Sequence, residues 1–163
     1  MAKRPTLSRF PTGQIALNNL RPWWPALVWA VIIFVLSTDA FSATNTGQIL
    51  GPILGWLDPE STPEQLEFIN FCIRKCAHFT EYFIFYLLVY RGVSGARMFW
   101  RTSWGLGAWF IVAAYSVLDE FHQSFTLSRT ASPWDSLLDS VAALAALLVV
   151  RVWFRFLGAH RAK

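Results

Sequence analysis

The amino-acid sequence predicts an all-α membrane protein, a bundle of four transmembrane helices with both termini in the cytoplasm. Three observations carry that expectation. The chain of 163 residues is 55% hydrophobic and 17% aromatic with only 15% charged residues, too apolar for an ordinary soluble domain of its size. Its apolar residues fall in blocks of roughly 20, the length that covers about 30 Å of hydrocarbon at about 1.5 Å per residue. Eleven of its fourteen Lys and Arg residues fall in three groups that an even number of spans puts on one side.

Residues 1–21 are polar, contain Pro5, Pro11 and Gly13, and carry Lys3, Arg4, Arg9 and Arg21, so they read as a basic cytoplasmic tail. The membrane domain follows over 22–157. Its first span is expected over 23–41, opening on Trp23 and Trp24 at the interface with Pro25 in the first turn, where a missing N–H costs little. The same block also has the look of a signal-peptide core cut after Ser42, because Ala40 and Ser42 are small residues at the right spacing. Residues 43–69 are richer in Gly, Pro and acids and read as an external loop with interfacial turns of helix. Ser61-Thr62-Pro63-Glu64 is a helix start, feeding a second span over 70–90. After a short basic turn the third span covers 99–118. The fourth, starting at Ser132-Pro133-Trp134-Asp135, covers 133–154, and residues 158–163 form a basic tail.

The cations before the first span, at the second turn (Arg91, Arg97, Arg101) and at the end of the chain (Arg151, Arg155, Arg161, Lys163) place both termini in the cytoplasm. All ten acids fall on the other side or in the outer halves of the helices, as do the three remaining cations, Arg74, Lys75 and Arg129. No basic face with interleaved aromatics exists, so nucleic acid is not an expected partner. Cys72 and Cys76 make neither a disulfide framework nor a CxxC pair.

The acidic side carries the candidate chemistry. Arg74, Lys75, His78, Glu81 and Tyr82 fall within an arc of roughly 120° on one face of the second span, at about 100° per residue. Tyr115, Ser116, Asp119, His122 and Gln123 share a face at the end of the third span, with Glu120 turned off it, and Asp135 and Asp139 lie one turn apart on the fourth. Below them Ala142 and Ala146 allow close helix approach. Ionisable groups in a membrane cost at least about 2.5 kcal/mol each at its centre and turn inward to pair, so three polar faces at one depth imply one outward-opening pocket.

The strings Arg74-Lys75-x-x-His78-Phe79-x-Glu81-Tyr82, Asp119-Glu120-x-His122-Gln123-x-Phe125 and Arg129-x-x-Ser132-x-x-Asp135-x-x-x-Asp139 resemble the VanZ-like family over about residues 70–145. That family usually has proline and glycine where this chain has Leu127-Ser128, and glycine in place of Ala142. It is named for a bacterial membrane protein linked to teicoplanin resistance. The resemblance implies a multi-pass protein of the bacterial cytoplasmic membrane working at the cell envelope, and it implies no particular reaction.

Three roles fit these residues. In the first, His78, Glu81, Asp119 and His122 move protons while Arg74, Lys75, Tyr82, Glu120, Gln123, Arg129, Asp135 and Asp139 hold an anionic head group of a lipid-linked envelope molecule. In the second, the same residues capture such a head group, or a lipoglycopeptide, without chemistry. In the third they form a structural belt. There each histidine is a neutral bridge, Glu81 and Asp119 pair with cations, and Asp135 shares a capping box with Ser132. His78–Glu81 and Asp119–His122 have the i, i+3 spacing of metal-bearing bundles, but a second Glu-x-x-His is missing and Lys75 repels a cation. No metal or cofactor is expected. No P-loop, nucleophile elbow or HExxH motif is present either.

Overall fold

Local chemistry sets where the helices of this chain begin and end. The computed structural model describes residues 20–39, 42–95, 97, 99–126 and 132–161, with 43–44 and 158–161 described by their backbone alone. Among these residues the chain forms five helices and no strand: α1 (Trp24–Leu36), α2 (Ala43–Leu57), α3 (Pro63–Ser94), α4 (Thr102–Gln123) and α5 (Pro133–Arg161). Thr62 caps α3 in a reciprocal box with Gln65, and Pro63 takes a first-turn position where its missing N–H is no loss. The Glu64 backbone N–H and then the Thr62 hydroxyl hold the Glu64 carboxyl below the usual carboxylate range. Gly95 stops the helix in the left-handed conformation, at φ 63°, that a residue without Cβ adopts freely.

The segment expected as an external loop with interfacial turns of helix forms one continuous helix over most of its length. Ser42 accepts a hydrogen bond from the Asn45 N–H at 3.3 Å and starts α2, which runs for 15 residues and carries Pro52 inside it. Gly47, Gly51 and Gly55, which resemble turn signals in the sequence, are spaced by four and form a small-residue stripe. A Cβ on Gly47 would stand 3.2 Å from the Asn70 side chain, so α2 comes close to α3 at this glycine, while a Cβ on Gly51 or Gly55 would meet nothing within 4 Å. The first apolar helix is also shorter than expected, ending at Leu36 with Ser37 as its C-cap.

α3 is the central element, packing against each of the other four helices, while α4 and α5 also pack on one another. Its buried face, Tyr82, Phe85, Tyr86, Val89 and Tyr90, meets Ala108 and Val112 of α4 and Ala142, Ala143, Ala146 and Leu147 of α5 in one core. Alanine at 142 and 146 lets α5 approach the bulky aromatics. Buried aromatic donors close the hydrogen-bond accounts between helices. Trp29 donates to the Glu81 carbonyl at 3.0 Å, Tyr115 to Ala30 at 2.6 Å, Tyr86 to Gly105 at 3.3 Å and Trp109 to Ser140 at 3.0 Å. The outward faces remain apolar, with Val31, Phe110, Val141 and Leu148 among the exposed residues. Among the described residues, Pro133–Leu157 of α5 is the helical stretch long and apolar enough to cross a membrane on those measures alone. The apolar α1, with 13 residues, is shorter.

Glycine tolerance reports the packing. A Cβ on Gly105 would lie 2.2 Å from the Trp100 ring, which stacks on Tyr90 at 5.6 Å, whereas one on Gly51 meets nothing within 4 Å. Gly105→Ala is therefore expected to lower stability by about 1–2 kcal/mol, overpacking outweighing helix propensity. Gly51→Ala is expected to leave stability unchanged or raise it by up to about 1 kcal/mol. Thermal unfolding of the purified proteins, followed by circular dichroism, measures both.

Candidate functional site

The arc of polar residues on α3 divides as the helix turns. With Arg74 as origin, rotation by about 100° per residue sets Glu81, Arg74 and His78 toward one edge of the arc and Tyr82 and Lys75 toward the other. The first edge faces α1 and α2. Arg74, His78 and Glu81 line a cleft of about 180 Å³ there, with Ser37 from the end of α1 and Thr46 from α2. The second edge faces α4 and α5, where Tyr82 is fully buried and Lys75 forms an ion pair with Asp135. The Lys75 ammonium also sits 5.3 Å from the centre of the Phe71 ring.

Asp119, at the end of α4, is 4% exposed and accepts three hydrogen bonds on one carboxylate oxygen. Ser37 donates from 2.8 Å, Gln123 from 3.1 Å and Tyr82 from 3.3 Å, so this group joins α1, α3 and α4. Its other oxygen is buried without a hydrogen-bond partner among the described residues. Asp139 is 1% exposed, and both its oxygens lack a hydrogen-bond partner among the described residues. Its Oδ1 lies 3.7 Å from His78 Nδ1, an ionic contact longer than a hydrogen bond. A carboxylate this deeply buried needs a proton or a counter-cation, and the half-buried His78, which reaches the cleft, is placed to provide either.

This geometry gives several of the expected residues particular partners. Glu120, expected to turn away from the shared face, does leave the Asp119 face but is buried. Its Oε2 accepts the Ser132 N–H at 2.8 Å and so caps the start of α5, a donor that a helix beginning at proline leaves over. Asp135 therefore does not share a capping box with Ser132, and its carboxylate is spent on Lys75. His122 stacks on Phe34 of α1 with ring centres 4.3 Å apart, while His78 meets α5, so the two histidines serve different helices. Arg129, with Leu127 and Ser128 beside it, lies outside the described residues. Two contributors to the site passed unrecognised in the sequence. Ser37 was signalled by the break in the first apolar run at Ser37-Thr38-Asp39, but Thr46 carried no signal because its segment reads as loop. Among the described residues no three His, Cys, Asp or Glu side chains group to hold a metal ion.

No curated protein and no solved structure matches this chain significantly. A sequence model of the VanZ/LLP1 family matches residues 23–155, from the start of α1 through most of α5, and takes in every candidate residue named above. On that match, which covers most of its length, the chain belongs to the VanZ/LLP1 family.

Proposed function

We propose that this chain is a four-span protein of the bacterial cytoplasmic membrane, with α1, α3, α4 and α5 as spans and both termini cytoplasmic. Its cleft between α1, α2 and α3 then binds the anionic head group of a lipid-linked envelope molecule from the outer side. The apolar outward faces and the one-sided cations support the membrane setting. The hydrogen bonds from Ser37 to Asp119, Trp29 to Glu81 and Tyr115 to Ala30 favour α1 as a retained member of the bundle over a cleaved leader. α2 lies along the outer surface, with Trp56 81% exposed beside its end.

The observation that carries the binding reading is the state of Arg74. Lys75 is engaged by Asp135, but Arg74, one residue earlier, lines the cleft and has no carboxylate partner among the described residues. A guanidinium without a partner in a polar cleft beside lipid is suited to a phosphate, which it holds through two parallel N–H donors. The roles of the motif residues divide accordingly. Asp119, Gln123 and Tyr82 lock three helices, Glu120 caps α5, and Lys75–Asp135 ties α3 to α5. Arg74, His78 and Glu81 meet the ligand, with Asp139 behind His78.

A second reading, catalysis on that head group, is favoured by the His78–Asp139 contact at 3.7 Å. A histidine backed by a buried carboxylate at the wall of a binding cleft is arranged to take up and return a proton during hydrolysis or transfer. Binding and catalysis separate by substitution, since glutamine at 78 keeps a hydrogen-bonding side chain but cannot titrate.

Reporter fusions test the topology: activity in the cytoplasm is expected after residue 95 and at the C-terminus, and outside near residue 60. A cytoplasmic signal at residue 60 overturns the outward-facing cleft. For the ligand, the full chain in detergent is titrated with a polyprenyl phosphate. Arg74→Gln is expected to weaken binding about tenfold to a hundredfold, the value of one charge-assisted contact, with folding intact. His78→Gln and Glu81→Gln are expected to fold normally, and survival of envelope function in both removes the catalytic reading. Asp119→Ala is expected to lose about 3–5 kcal/mol of stability and most folded yield, because three buried donors lose their acceptor. If Arg74→Gln binds like the parent protein, the cleft is not the head-group site.

A further inference from the structure

At the other end of the bundle the chain carries a second concavity that none of the motif residues touches. It is a groove of about 390 Å³ between the last turns of α3 and the second half of α5. Its walls are apolar, from Leu87, Tyr90, Val149, Val150, Trp153 and Phe154, and Arg91 and Arg97 stand at its rim. The polar groups of the walls are already engaged. Tyr90 donates to the Phe99 carbonyl at 3.1 Å and Ser94 to the Arg91 carbonyl at 3.2 Å, leaving an apolar trough.

The two arginines are not neutralised. The chain has no Asp or Glu between Glu81 and Asp119 or after Asp139, so neither wall of the groove carries an acid. Both guanidinium groups are held by neutral contacts instead. Arg91 Nη1 points at the Pro22 carbonyl from 3.4 Å, and the Arg97 guanidinium lies 5.8 Å from the centre of the Trp104 ring. Both side chains are exposed. A trough lined by apolar side chains along the helix direction, with two unpaired cations at one end, complements a single kind of ligand. It fits an acyl chain in the trough with an anionic phosphate at the rim.

We propose that this groove binds one anionic diacyl phospholipid of the cytoplasmic leaflet, its phosphate held by Arg91 and Arg97 and one acyl chain seated between α3 and α5. The site shares with the preceding reading only the placement of these helices in a membrane. Seventeen residues, about 25 Å of helix, separate Arg91 from Arg74, so the two sites fail or stand separately. A lipid held here also ties the end of α5 to α3, beyond the reach of the polar contacts at the other end.

The test uses the full chain purified in a neutral detergent and incubated with phosphatidylglycerol or with phosphatidylcholine of the same acyl chains, with bound lipid counted by native mass spectrometry. The expected result is preferential retention of phosphatidylglycerol. In the double variant Arg91→Gln/Arg97→Gln that preference is expected to fall about tenfold to thirtyfold, from the loss of two near-surface cations. Val149→Trp, which fills the trough without touching the charges, is expected to reduce retention of both lipids, and it keeps the test decisive if the double variant folds poorly. Equal retention of the two lipids by the parent protein overturns the proposal, as does retention of phosphatidylglycerol by both variants at the parent level. Titration of the same samples with polyprenyl phosphate scores the Arg74 cleft independently, so loss of either ligand alone identifies which site has failed.

Discussion

The buried carboxylate of Asp119 is the group on which the polar end of this bundle depends. Removing a carboxylate from water is costly unless donors replace the lost hydration, and here the donors come from α1, α3 and α4 at once. Satisfying one group in this way fixes the rotation of all three helices. Ser37 must end α1 at the depth of Asp119, and Tyr82 must face α4, which in turn directs Arg74 and Glu81 toward the α1–α2 side and leaves His78 between that cleft and Asp139 of α5. The cleft is thus a consequence of how Asp119 is paired.

Elsewhere the helices are joined by neutral means. Indole and phenol donors reach backbone carbonyls of neighbouring helices, using the second lone pair of acceptors already engaged within their own helix. Each bond is modest, but each requires a particular axial offset between two helices and so specifies register as well as contact. Small residues complete the fit. Ala142 and Ala146 admit the aromatic face of α3, and Gly92 and Gly105 admit the indoles of Trp23 and Trp100, where a Cβ would stand within 2.6 Å and 2.2 Å of ring atoms.

Ionisable residues gather at the two ends of the bundle under different rules. At one end carboxylates are taken up by partners from other helices, Asp135 by the Lys75 ammonium in a partly buried pair and Asp119 and Glu120 by neutral donors, beside the residues that mark the cleft. At the other end arginines stand without acids and are steadied by a carbonyl and a ring. Uncompensated cation is tolerable there because it remains exposed, whereas at the first end Asp139 is deeply buried, with the His78 imidazole 3.7 Å away to neutralise it.

By itself the sequence determined the helical character of the chain, the capped start at Thr62 and the stop at Gly95. It also determined the segregation of cations from acids and the family to which the motif residues belong. Each of these is a local or compositional property, governed by a few neighbouring residues or by their sum. It also determined which side chains crowd one end, since a polar arc on an otherwise apolar helix can be read from a period of about 3.6 residues. Only the tertiary structure decided which of those side chains are consumed. Whether Asp135 caps its own helix or meets Lys75, whether Glu120 faces outward or caps α5, and whether His122 joins His78 or stacks on Phe34 depend on helix offset and rotation. Those are set by contacts between residues far apart in the chain. The same reason hid the extent of α2: glycines and a proline read locally as loop with turns of helix, and only the packing beside α3, where Gly47 leaves room for the Asn70 side chain, shows one continuous helix.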